Sequence, residues 1–230
     1  MAAKSDVVLC EVLTGFTVVF VLISIIRVWW VLGKRKDIRK RENPVKTLIV
    51  AGSGGHTTEM LRLMSGLSVM YYPRIYVVAD TDKMSKEKIE TFENENKLQK
   101  ADKELKDYST TAYYKIFTVP RSREVRQSWL TTVITTLKAT IASFPLIFTH
   151  KPEMVIVNGP GTCIPVCAVA LIMKIIGVQD TTIVYVESMC RVETLSLSGL
   201  ILYYFADHFF VQWQKLQERY PKAIYLGRLV

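Results

Sequence analysis

The hydrophobic and polar positions divide this chain into an apolar opening run and, beyond Asn43-Pro44, an alternation of short apolar strands with longer helical stretches. Within residues 7–32 only Glu11 and Arg27 carry charge, and residues 12–26 form 15 positions with none. Continued to Leu32 the run reaches 21 residues, close to the ~20 that a helix needs to cross a bilayer, with Arg27 near enough to the end to snorkel. Past Pro44 the expected strands are 46–51, 74–79, 115–119, 154–157, 182–187 and 208–212, with a short last one at 223–226. Continuous, β-branched runs of this kind are strands buried on both faces of a parallel sheet. Between the first two, Met60, Leu61, Met64 and Leu67 recur at helical spacing. The expected fold is α/β, a Rossmann-like doubly wound parallel sheet preceded by a single transmembrane helix. Residues 1–33 form the anchor, 34–44 a basic juxtamembrane linker and 45–230 the Rossmann-like domain.

Three other stretches compete for attention. Residues 163–176 are apolar but contain Lys174, and residues 129–148 are broken by threonines, Lys138 and Pro145. Both read as crossover helices packed on the sheet rather than as spans. Residues 80–107 carry nine acids and seven lysines. Such near-balanced charge at helical spacing predicts a solvated helical excursion with i,i+4 pairs and no catalytic role.

Charge changes the picture at one place. Of the formal net charge of +9, residues 34–41 hold a net +5, from Lys34, Arg35, Lys36, Arg39, Lys40 and Arg41 against Asp37. A basic run directly after an apolar segment marks membrane topology and anionic lipid rather than nucleic acid. A cleaved signal peptide would carry its positive residues first. The positive-inside rule puts residues 34–230 in the cytosol, with Trp29 and Trp30 at the interface; a re-entrant or interfacial hairpin is the other reading of the run. Cys10, Cys163, Cys167 and Cys190 show no Cys-x-x-Cys and no paired histidine spacing. A zinc site is therefore not expected, and Cys163 and Cys167, four apart on an apolar helix, read as small buried hydrophobes.

In a doubly wound sheet ligands bind beyond the carboxyl ends of the strands. After the first strand comes Ala51-Gly52-Ser53-Gly54-Gly55-His56-Thr57, a glycine turn opening a helix. That order aims backbone N–H groups and the positive end of the helix at a phosphate or diphosphate. Asn158-Gly159-Pro160-Gly161-Thr162 repeats the arrangement after the fourth strand, and two such turns can converge on one diphosphate. His56 at the helix start is a candidate to contact phosphate or a reacting hydroxyl, or else a capping and packing group. Glu187, followed by Ser188, ends the fifth strand, where a carboxylate could meet a sugar, take a proton or cap a helix. Arg121, Arg123 and Arg126 follow the third strand and serve phosphate, the membrane or a solvated loop. Asp80 closes the second strand as a ribose-binding acid would, which keeps an NAD-dependent membrane oxidoreductase open, although Thr57 stands where its third glycine belongs.

Taken together, the anchor, the basic segment, Gly-Ser-Gly-Gly-His-Thr-Thr-Glu-Met, Pro-Arg-Ser-Arg-Glu-Val, Asn-Gly-Pro-Gly-Thr and Val-Glu-Ser resemble one family. It is the membrane-anchor subunit family of the two-chain UDP-N-acetylglucosamine transferase of dolichol-linked oligosaccharide synthesis. More distantly, the sheet resembles the acceptor-side, N-terminal half of a MurG-like GT-B glycosyltransferase, whose glycine loop and histidine would match Gly52, Gly54, Gly55 and His56. Its second glycine turn would match Gly159 and Gly161, and its strand-end glutamate Glu187. The resemblance implies an endoplasmic-reticulum membrane protein with a cytosolic domain that binds dolichyl diphosphate N-acetylglucosamine and recruits a smaller soluble donor-binding subunit. Together the two chains would add the second N-acetylglucosamine in β1,4 linkage, by inversion and without metal or cofactor. His56 and Glu187 would be catalytic. Gly52, Ser53, Gly54, Gly55, Thr57, Gly159, Gly161, Thr162, Ser188, Arg121 and Arg123 would hold the acceptor diphosphate. The chain alone would be inactive, and the apolar tail, through Leu226, Leu229 and Val230, would face the partner; folding back onto its own sheet is the alternative. A purely structural recruiter with a vestigial cleft is the other function left open.

Overall fold

The computed structural model describes residues 2–33, 43–68, 70–101, 114–124, 127–159 and 161–230. The chain divides into two compact units, residues 1–36 and 37–230. The first is a 32-residue helix, α1 (Ala2–Gly33), whose stretch Glu11–Val31 is long and apolar enough to cross a membrane. Polar groups along it are handled locally: the Thr14 and Thr17 hydroxyls donate to the Glu11 and Leu13 carbonyls, and the Arg27 guanidinium lies over the Trp30 ring at 5.1 Å. The basic run at 34–41 falls outside the described residues, as do Arg126 and Pro160.

The second unit is a seven-stranded parallel sheet. Its strands are β1 (Thr47–Val50), β2 (Arg74–Ala79), β3 (Tyr114–Val119), β4 (Met154–Asn158), β5 (Thr182–Val186), β6 (His208–Val211) and β7 (Ile224–Tyr225), in the order β3-β2-β1-β4-β5-β6-β7. All seven expected strands are present, with ends shifted by a single residue at most. The helices are α2 (Gly55–Ser65), α3 (Lys83–Ala101), α4 (Trp129–His150), α5 (Cys163–Ile175), α6 (Leu197–Leu202) and α7 (Gln214–Arg219).

Alternation along each strand feeds two apolar layers. Leu48, Val50, Ile75, Val77, Val155, Val157, Ile183 and Tyr185 join α5 in one, while Ile49, Ala51, Tyr76, Val78 and Ile156 join Met60, Met64 and Ile89 of α2 and α3 in the other. Because side chains on a strand alternate faces, a strand must be apolar at every position to serve both layers. Each fully buried Leu or Ile removed from water contributes roughly 1.5–3 kcal/mol.

Two helices differ from expectation. The acidic-basic excursion is a helix, α3, with the expected Lys86–Glu90 pair at 3.9 Å, yet it is not wholly solvated. Ile89 and Glu93 are buried, and Glu93 meets the buried Arg74 guanidinium at 2.9 Å. A cation at the start of β2 needs a counter-charge in the layer between sheet and helix, and Glu93 supplies it. On α4 a narrow stripe, Ala139, Ser143 and Ile147, is buried. Leu130, Val133, Ile134, Leu137 and Ile141 stay exposed on the helix, so a crossover helix here also presents an apolar outer surface.

Candidate functional site

The sheet order makes β1 and β4 neighbours, with Val50 beside Val157. From β1 the chain turns into α2 on one face, and from β4 into α5 on the other. Strand order reverses at this point, and in open α/β sheets such a reversal marks the crevice beyond the strand ends where ligands bind. The two glycine turns therefore lie side by side.

In the first turn Gly54 adopts φ +65° and precedes α2 with no side-chain cap, which leaves the first-turn N–H groups without a side-chain acceptor, the condition under which a helix start takes an anion. Ser53, Gly54 and Gly55 are exposed and Gly52 is buried. Thr57 is fully buried; its hydroxyl donates to the Gly52 carbonyl and lies 2.6 Å from Ser85 Oγ, itself 2.6 Å from Asp82 Oδ2. Thr57 thus braces the loop from beneath. In the second turn Gly159 also adopts φ +65°, and a Cβ there would come within 2.8 Å of His56 Cε1. Gly161 is exposed and Thr162 is buried at the start of α5.

His56 lies where the two turns meet. Its Nδ1 is 3.0 Å from Asn158 Oδ1 and 3.9 Å from Glu59 Oε2. A carboxamide oxygen only accepts, so Nδ1 carries the hydrogen and Nε2 of the neutral ring keeps a lone pair. The side chain is 38% exposed, open enough to meet a ligand.

Glu187 is placed differently. It is fully buried, and both carboxylate oxygens are engaged. Oε1 accepts from the Tyr185 hydroxyl at 3.2 Å and the Ser188 amide at 3.1 Å, and Oε2 from the amide and hydroxyl of Ser196 at 2.9 and 3.1 Å. Ser196 caps α6, and Gly199 leaves room for Oε2, which a Cβ there would strike. Burial first, and then the Glu187 charge, push the Tyr185 phenol up, so it stays a donor. Glu187 therefore organises the crevice floor from below, and the adjoining Ser188 hydroxyl donates to Glu59 Oε1 at 2.9 Å.

Arg121 and Arg123 follow β3, the edge strand, which β2 separates from β1; Arg123 stacks on the Trp129 ring at 4.6 Å. In the tail Leu226 is 66% exposed, Leu229 and Val230 are half-buried, and the Leu229 amide donates to Gln212 Oε1 at 3.2 Å. The same Gln212 donates through Nε2 to the Glu187 carbonyl at 3.0 Å. Burial pushes the Cys163 thiol up and the Cys167 thiol up to about 12, so both remain protonated, as small hydrophobes do.

Two site residues were not singled out from the sequence. Asn158 and Glu59 are buried, and Asn158 Nδ2 and Glu59 Oε2 have no hydrogen-bond partner. The signals were a polar residue closing an otherwise apolar strand, and an acid three positions after a histidine at a helix start, hence on the same face. Among the described residues no cluster of His, Cys, Asp or Glu is arranged to hold a metal ion.

Residues 47–229 match the family described as "Oligosaccharide biosynthesis protein Alg14 like". The chain is similar to the human UDP-N-acetylglucosamine transferase subunit ALG14, 52% identical over 216 residues covering 94% of this chain and 95% of that one. The subunit of the same name from Yarrowia lipolytica is 41% identical over 192 residues, covering 83% of each chain. Among solved structures, MurG of Acinetobacter baumannii superposes with a TM-score of 0.51 at 14% identity, over 80% of this chain and 45% of that one. At that identity the likeness bears on the fold, a GT-B-like half, and this chain spans under half of MurG. With the family model spanning the whole sheet and relatives matched over nearly their full length, the chain belongs to the Alg14-like family of oligosaccharide biosynthesis proteins.

Proposed function

We propose that this chain is the membrane-anchoring, acceptor-side subunit of a heteromeric glycosyltransferase. It adds the second N-acetylglucosamine, β1,4-linked, from UDP-N-acetylglucosamine to dolichyl diphosphate N-acetylglucosamine on the cytosolic face of the endoplasmic reticulum. Residues 1–33 anchor it, 34–44 link and 45–230 bind the acceptor. The observation that carries this reading is the meeting of two glycine turns beyond β1 and β4, where the half-exposed His56 of the first stands against Asn158 and Gly159 of the second. The uncapped start of α2 after Ser53 and Gly54, with Gly159 and Gly161 of the second turn, suits the acceptor diphosphate, while His56 Nε2 accepts the proton of the attacking sugar hydroxyl. As that oxygen bonds to the donor's anomeric carbon, the bond to UDP breaks and UDP leaves with the electron pair, inverting the centre. The exposed apolar stripe of α4 suits a protein that works at a lipid surface.

A smaller soluble subunit brings the UDP-N-acetylglucosamine site, and the chain is inactive without it. Leu226, Leu229 and Val230 are the proposed contacts. The test is a transfer assay with the anchored chain alone, the donor-binding subunit alone and both together. Turnover is expected only from the pair, and transfer by this chain alone would overturn the half-enzyme reading.

A further inference from the structure

We infer that Glu59 is a positioning residue for His56, supplying the negative charge that steadies the imidazole when its Nε2 takes up the acceptor proton. The inference rests on the reading of His56 as the base. Four observations carry it. Glu59 stands one helical turn after His56 on α2, with Oε2 3.9 Å from Nδ1. Its Oε1 is held by the Ser188 hydroxyl at 2.9 Å, which fixes the carboxyl plane. Its Oε2 is buried and without a partner. Finally, Glu59 is only 8% exposed.

A buried carboxylate oxygen with no donor is costly, because it has given up water for nothing. Sealed from solvent, Oε2 does not reach a sugar or a diphosphate in the crevice. The ring it faces is the one that gains charge. In the resting site Nδ1–H is donated to Asn158 Oδ1 at 3.0 Å, and the separation from Oε2 is too long for a hydrogen bond. When the acceptor O–H bond breaks and its proton passes to Nε2, both ring nitrogens carry hydrogen and the imidazolium gains a full positive charge. Oε2 then has a cation beside it, and the new charge is neutralised inside the protein as UDP departs with its electron pair. Asn158 fixes the tautomer and Glu59 the charge. These are the two duties that a single carboxylate performs behind a catalytic histidine elsewhere.

The experiment uses the full chain with the subunit that completes the transferase, assayed with a short-chain lipid diphosphate acceptor. Wild type, Glu59→Gln, His56→Ala and the double variant are compared per recovered complex. Glu59→Gln keeps the shape and an oxygen for Ser188 and removes only the charge. It is expected to lower kcat roughly tenfold to a hundredfold, the low end of what acid–base assistance contributes, with acceptor KM little changed. Added to His56→Ala, it is expected to cost nothing further, since it acts through the ring. Glu59→Asp, which retains charge, gives a second cycle should the glutamine variant yield little complex, and is expected to keep more activity than Glu59→Gln. Full kcat in Glu59→Gln, or the same loss in both backgrounds, while His56→Ala alone falls, overturns the role of Glu59 and leaves His56 standing. Unaltered turnover in His56→Ala removes the base itself and this inference with it.

Discussion

The place that His56 occupies is a gap left by another residue. At Gly159 φ is +65°, and a Cβ would come within 2.8 Å of His56 Cε1 and 3.1 Å of Nδ1. Gly159→Ala therefore pushes the ring away from Asn158 and Glu59. It also adds a left-handed penalty of roughly 1–2 kcal/mol for a residue with a Cβ. Displacing a reacting group by about 1 Å costs up to ~10²-fold, so the variant is expected to lose turnover far out of proportion to its modest fall in melting temperature. Gly66→Ala, at the end of α2 with only the Leu63 carbonyl oxygen near at 3.7 Å, is the matched control and should turn over normally. A Gly159→Ala enzyme with wild-type kcat would show that the ring position does not matter.

Among the elements, α3 is secured by the ion pair that its composition concealed. Arg74 Nη1 donates to Glu93 Oε1 at 2.9 Å, Nη2 to the Met64 carbonyl at 3.2 Å, and the Tyr76 hydroxyl to the same Glu93 oxygen at 2.5 Å. Burial, and next the Glu93 charge, push the Tyr76 phenol up, which keeps it a donor. Glu93→Ala strands a buried guanidinium and is expected to cost about 3–5 kcal/mol by urea unfolding, whereas Arg74→Met with Glu93→Leu should recover only part of that loss, because the buried Tyr76 hydroxyl is left without its acceptor. Glu93 could not be told from its neighbours in sequence, because burial of one acid among nine depends on Arg74, nineteen residues earlier and on another element. Glu187 was legible as a strand-end carboxylate but not in its direction. Whether it points into the crevice or beneath it is decided by Ser196 and Gly199, which belong to a later helix. The strands, by contrast, were legible because a buried parallel strand writes its own signature: β2, apolar at every position after Arg74, is fully buried from Arg74 to Ala79.

On the scale of the whole molecule, the proposed function gives the apolar helix α1 and the sheet separable duties. Deleting residues 1–41 is expected to release a folded domain from membranes. Transfer to a long-chain lipid acceptor should fall more than transfer to a short-chain analogue, because a tether raises effective concentration without altering chemistry. Equal losses on both acceptors would assign α1 a part in shaping the site. The strand order carries a consequence for biosynthesis as well. The interior strand β1 is made early, yet its second neighbour β4 follows about a hundred residues later, and His56 waits 102 positions for Asn158. At a ribosomal rate of ~5–20 residues per second, that interval lasts roughly 5–20 s. Through it β1 keeps one edge of unmatched amides and carbonyls, the kind of edge that recruits foreign strands. The crevice is therefore a late product of translation, and the nascent chain is most vulnerable to aggregation just before its two halves close.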